Sequence, residues 1–344
     1  MLIIEVMGGL GNQLQQYALY QKMKSLGKEA KLDISWFTDE NRQKNVLAAR
    51  RLELLYFENL PMEICTEAEK EALIGPDTFL GKVKRRIFPK TDRHFYESGI
   101  YHPEIFTFED RYLTGFWACE KYYADILPML RKQIIFPETD HSQKNQTEEH
   151  KTEKNQSCLN CEKVQAILKK GDFGEKSGKI QNKEIVEKNR QIIEQMKREL
   201  SVSIHIRRGD YLDPENAAMF GGICTEPYYD AAMAYILKRC PAAHFYIFSD
   251  DIPYVKERYC GSQYTVVDWN TGENSFYDIR LMSSCKHNIC ANSTFSFWGA
   301  RLNPNPDKIM IRPAKHKNSQ QIIPEELHEL WDNWVIIDEK GRIV

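Results

Sequence analysis

The feature that most constrains this chain is the order of apolar runs after residue 200. Ser201–Ile206, His244–Ser249, Tyr264–Val267, Asn288–Ala291 and Lys308–Ile311 read as short strands, with helical stretches at Tyr228–Arg239, Phe276–Cys285 and Phe295–Leu302 among them. Short, continuously apolar strands joined through helices fit a parallel sheet covered on both faces. In such an α/β domain, ligands gather at the carboxyl ends of the strands.

The amino terminus opens a similar unit. Met1–Val6 reads as a strand, Gly8, Gly9 and Gly11 as a turn, Asn12–Leu26 as a helix ended by Gly27, and Glu29–Phe37 as a second strand. Tyr112–Trp117 reads as a buried strand and Glu120–Ile134 as an amphipathic helix. Residues 138–183 are dominated by Lys, Glu, Gln, Asn, Ser and Gly, and have too few large apolar side chains to fold alone. They read as a surface insertion, followed by a helix over Lys183–Leu200. At 344 residues the chain is long for one doubly wound domain. The expected organisation is therefore an amino-terminal α/β domain over 1–200, insertion included, and a Rossmann-like domain over 201–344, facing each other across a cleft. The tail is expected to pack as a helix and a strand through Trp331 and Trp334.

Composition narrows the function classes. A formal charge of −2 and 42% hydrophobic residues describe a soluble globular protein and demand no nucleic acid. The first strand lacks a basic segment before it and a cleavage site after it, and no run approaches the length of a bilayer span. A cytoplasmic protein, soluble or at most peripheral to a membrane, is expected. The basic run Lys82–Arg86 reads as a solvated helix face, with contact to an anionic membrane surface as the minority reading. Nine scattered cysteines fit reduced thiols, several of them (Cys240, Cys285, Cys290) acting as small core hydrophobes. The pair Cys158 and Cys161 has no second pair at zinc spacing.

Four segments carry chemistry. In Val202–Tyr211 an apolar strand runs into His205, Arg207, Arg208, Gly209 and Asp210. Arginine presents a planar fork that never loses its charge, suited to a diphosphate, and Asp210 can hold an arginine in place; Gly209 is expected to permit a sharp turn. The plain alternative is a surface ion pair. In His287–Gly299 a strand ends at Asn292, Ser293 and Thr294, and a helix starts through Phe295, so free N–H groups and the helix dipole favour an anion. The plain alternative is an N-cap. Phe245–Asp251 delivers Asp250 and Asp251 to the same sheet edge, to read guanine or ribose, to bind a metal or to cap a helix. The loop Gly8-Gly9-Leu10-Gly11-Asn12-Gln13, with Asp33 downstream, is a weak dinucleotide fingerprint and keeps a nicotinamide-dependent oxidoreductase as the competing reading. Leu14 at the third glycine position speaks against it.

Together the segments resemble the bacterial and animal α-1,2-fucosyltransferase family, which reads G-G-L-G-N-Q, H-x-R-R-G-D-Y, F-S-D-D and K-H-N-x-x-A-N-S-x-F-S-x-W-G-A. Thr294 and Phe297 depart from the usual serine and tryptophan but keep a hydroxyl and an aromatic ring. The resemblance implies a GT-B arrangement, a GDP-fucose donor, no metal or other cofactor, and inversion to an α-1,2-fucoside at O2 of a terminal β-galactose. The acceptor would be an oligosaccharide or a lipid-linked glycan at the inner membrane. It also implies roles: Arg207, Asp210 and Asn12 in catalysis, and Gly11, His205, Arg207, Arg208, Asp250, Asp251, Asn292, Ser293, Thr294 and Phe295 around the donor. Within that set Arg207 would hold the β-phosphate, His205 would meet the nucleoside and Asn12 would reach the fucose.

Overall fold

The computed structural model describes residues 1–44, 50–58, 60–76, 93–137 and 183–344. The basic run at 82–86, the Cys158 and Cys161 pair and the tract at 138–182 lie outside the described residues. The chain forms two compact units, Met1–Lys179 and Ile180–Val344. Each is α/β and built on a parallel sheet, as the alternation predicts.

In the first unit, strands β1 (Leu2–Glu5), β2 (Ala30–Asp33), β3 (His94–Tyr96) and β4 (Arg111–Thr114) lie in the order β2-β1-β4-β3, all parallel. Helix α1 (Leu10–Ser25) starts two residues before the expected Asn12, with Gly9 as its N-cap. It is buried almost all round, so its glutamines have inward work. The Gln13 amide donates to the carbonyls of Gly8 and Arg51 and accepts from the N–H of Glu53. The helix closes in a Schellman turn, with Gly27 at φ 75° and the N–H of Lys28 bonded to the carbonyl of Met23. Helix α2 (Glu67–Ile74) begins at a Thr66–Glu69 capping box.

Two expectations fail here. The second strand stops at Asp33, because that carboxylate accepts from the N–H and hydroxyl of Ser35 and turns the chain into a short 3-10 turn. Glu120–Ile134 is not one helix either. Tyr123 at φ −151° breaks it into two 3-10 turns and helix α3 (Leu127–Gln133), which Pro128 opens.

In the second unit, β5 (Ser201–Ile206), β6 (His244–Ser249), β7 (Tyr264–Val267), β8 (His287–Ile289), β9 (Met310–Pro313) and β10 (Trp334–Ile337) form one parallel sheet in the order β10-β9-β8-β5-β6-β7. Counted from β5, this is the 3-2-1-4-5-6 order of the Rossmann fold. Strand order reverses between β5 and β8, and a crevice opens at such a point beyond the carboxyl ends. Helices α4 (Lys183–Arg198), α5 (Pro214–Phe220), α6 (Glu226–Leu237), α7 (Ile252–Arg258), α8 (Tyr277–Ser284), α9 (Thr294–Leu302) and α10 (Pro324–Leu330) accompany it. The main core packs β5 and β6 against Tyr228, Tyr229, Ala232 and Ile236 of α6. The tail docks as expected, with Trp331 and Trp334 against Phe297.

The domain boundary shifts from the expected 200/201. Helix α4 belongs to the second unit, because the buried amide of Asn189 accepts from Trp269 Nε1 (2.7 Å) and donates to Asn270 (2.9 Å). Among the described residues, no helix is long and apolar enough to cross a membrane.

Candidate active site of the second unit

Strand β5 delivers its charged residues at the sheet's reversal point. Arg207 is held from two sides, by Asp210 (Nη2 to Oδ1, 2.6 Å) and by Asp250 at the end of the neighbouring β6 (Nη1 to Oδ2, 2.6 Å). Two carboxylates fix the plane of one guanidinium. The other oxygen of Asp250 accepts the backbone N–H groups of Arg208 (2.9 Å) and Gly209 (3.1 Å). Arg208 bonds Asp251 (2.9 Å) and stacks on Tyr254 (3.8 Å from the ring centroid). The bond from Arg208, with the N–H of Tyr254, holds Asp251 below the ordinary carboxylate range and caps α7.

Of the roles open to Asp250 and Asp251, the structure shows helix capping for Asp251, and both carboxylates also engage the two arginines and the turn between them. Gly209 starts the sharp turn expected of it, a 3-10 turn over Gly209–Leu212. A Cβ at this position would lie 2.5 Å from Asp250 Oδ2, so glycine is what lets the carboxylate reach the backbone.

On the other side of the reversal point, β8 leads through Asn292 and Ser293 into α9. Ser293 is the N-cap and makes no side-chain cap, so the first-turn N–H groups and the helix dipole face the carboxyl edge. Asn292 was expected among the donor contacts. Its buried amide instead donates to the carbonyls of Phe220 (3.1 Å) and His316 (3.2 Å), while its side-chain oxygen accepts from Cys224 (3.4 Å). It braces three loops. Sequence reasoning left Tyr211 without a role, and the structure supplies one. Its hydroxyl donates to the carbonyl of Asn292 (3.3 Å) and its ring lies 5.5 Å from the Arg207 guanidinium, tying the two turns together. Only its place in the H-x-R-R-G-D-Y string signals this.

His205, one residue before the end of β5, is buried with its ring 5.7 Å from that of Phe295. Burial pushes its pKa down to about 4, against the pull of Asp250 and with the push of Arg207, so the ring is neutral near pH 7. Its Nδ1 has no protein partner. The structure therefore brings His205, Arg207, Arg208, Asp210, Asp250 and Asp251 together at the carboxyl edge, with Ser293, Thr294 and Phe295 at the α9 start. Gly11 and Asn12 lie in the first unit, in the first turn of α1.

An arginine clamp beside a helix start at a Rossmann reversal point suits a nucleoside diphosphate group. Residues 169–338 match the family described as Glycosyl transferase family 11. That stretch is just under half of the chain and lies almost wholly in this unit. Proteins similar to this chain include the O-antigen biosynthesis glycosyltransferase WbnK of Escherichia coli, 41% identical over 116 residues, which are 33% of this chain and 38% of that protein. An alpha-1,2-colitosyltransferase of Escherichia coli is 28% identical over 320 residues, 91% of each chain. The human galactoside alpha-(1,2)-fucosyltransferase 1 is 32% identical over 103 residues, 29% of this chain and 28% of that protein. The aligned segments thus span well under half of the first and third relatives.

Proposed function

We propose that the protein transfers L-fucose from GDP-β-L-fucose to O2 of a terminal β-galactose, with inversion and without a metal ion. The observation that carries this reading is Arg207 clamped between Asp210 and Asp250 next to the α9 start. Inverting transfer is a single displacement, in which charge builds on the departing diphosphate while the acceptor oxygen approaches. A guanidinium and a helix dipole fixed in place stabilise that charge without reorganising. Asp210 is committed to Arg207 and positions it. Arg208 adds a second positive charge, Ser293, Thr294 and Phe295 line the diphosphate, and neutral His205 supports the donor edge from below. The first unit takes the acceptor, an oligosaccharide or a lipid-linked glycan met at the cytoplasmic membrane face. The relative named as a colitosyltransferase, aligned over nearly its whole length, supports a second donor sugar, colitose.

The test is calorimetric titration with GDP, GDP-fucose, GDP-colitose and NADH, with EDTA present throughout, followed by transfer to lactose. Binding of GDP and GDP-fucose with formation of fucosyl-lactose is the expected outcome. Preference for GDP-colitose would replace the donor. Binding of NADH alone would return the opening glycine loop, and an oxidoreductase, to first place.

A further inference from the structure

The first unit has its own reversal point, between β1 and β4, and the loops after these two strands are built with unusual constraint. Gln16, fully buried, locks them together: its Oε1 accepts the N–H of Met7 (3.0 Å) and its Nε2 donates to the carbonyl of Gly115 (3.0 Å). The next turn, Gly115-Phe116-Trp117, places Trp117 at φ 53°, a conformation that a bulky side chain rarely adopts. One oxygen of Glu97 holds it there by accepting both the Phe116 N–H (2.7 Å) and the Trp117 N–H (2.8 Å). Gly115 is needed for the approach, since a Cβ would lie 2.5 Å from that of Glu97. Trp117 is 0% exposed and anchors the turn against Tyr122. The result of this strain is to turn Phe116 outward, 48% exposed, at the carboxyl edge. Along the same edge Tyr96, paired with Thr114, is 64% exposed with one ring face against His94.

The strained turn thus does two things, burying Trp117 and presenting Phe116 to solvent, and backbone strain of this kind collects at functional sites. We propose that Phe116, with Tyr96 beside it, is the acceptor platform: the ring receives the apolar C–H face of a pyranose, as galactose presents. This rests on the glycosyl-transfer reading above. An exposed ring suits a sugar, whose faces are apolar and whose rim is polar.

Phe116→Ala and Phe116→Trp in the full chain test it. An aromatic contact of this kind corresponds to a rise of roughly tenfold in lactose KM for Phe116→Ala. Phe116→Trp restores it, and GDP affinity stays unchanged in both. A lactose KM for Phe116→Ala within about twofold of the unsubstituted protein overturns the proposal. If the protein binds no GDP, the transfer reading fails on its own, and saturation-transfer NMR with methyl β-galactoside then decides the platform. Ring-proton signals that vanish in Phe116→Ala support it. Signals unchanged in that variant, or absent from the unsubstituted protein, overturn it.

Discussion

Replacing Arg207 by alanine removes the guanidinium that Asp210 and Asp250 hold between them. The three side chains are 26%, 30% and 25% exposed, so the lost ion pairs are partly screened and cost the fold about 1 kcal/mol. The same guanidinium, acting where diphosphate charge develops, is worth on the order of 100- to 1000-fold in turnover. Catalysis therefore collapses while the fold persists. Arg207→Lys keeps the charge but cannot span Asp210 and Asp250 with one ammonium, so its turnover falls between the two. The assay is GDP release with GDP-fucose and lactose, alongside urea unfolding of each variant. Arg207→Ala turning over within about threefold of the unsubstituted protein would refute the mechanism. So would a loss of turnover that merely follows unfolding.

Three more outcomes are expected. Gly209→Ala pushes Asp250 off both backbone N–H groups and off Arg207, because a carboxylate pinned by three bonds has nowhere to retreat; turnover should drop at least about tenfold, and normal turnover would show the turn to be pliable. Asn292→Ala strands two half-buried carbonyls and should lower unfolding free energy by roughly 0.5–1.5 kcal/mol, read as a shift of the urea midpoint; an unmoved midpoint would mean that the three loops do not depend on its amide. His205 has a folded pKa of about 4, below its ordinary 6.5, so the unfolded chain binds the extra proton between these values. Its contribution is fully present above pH 6.5 and lost as pH falls toward 4. His205→Gln should make stability less steep across that window by up to about 1.4 kcal/mol per pH unit, and an unchanged slope in urea titrations would refute a buried neutral ring.

The sequence alone determined the two α/β units, the strands His244–Ser249 and Tyr264–Val267 to the residue, and the segments that meet at the edge of the second sheet. These are local properties: burial of a strand leaves an apolar run, a helix start leaves capping residues, and both are legible within a dozen positions. What the neighbouring side chains do there was decided by tertiary structure. Asp250 supports a turn 42 positions before it, and Asn292 braces a loop 72 positions before it, through bonds whose partners no local pattern announces. The same holds for Asn189, which draws helix Lys183–Arg198 into the second unit by bonding a loop 81 positions on, and for Glu97, which sustains the strained Trp117 turn 20 positions ahead. A short polar side chain has the same look in sequence whether it meets a ligand, a guanidinium or a stranded carbonyl. The choice among them is made by the parallel pairing of strands far apart in the chain, which sets whose oxygen comes within three ångströms of whose proton.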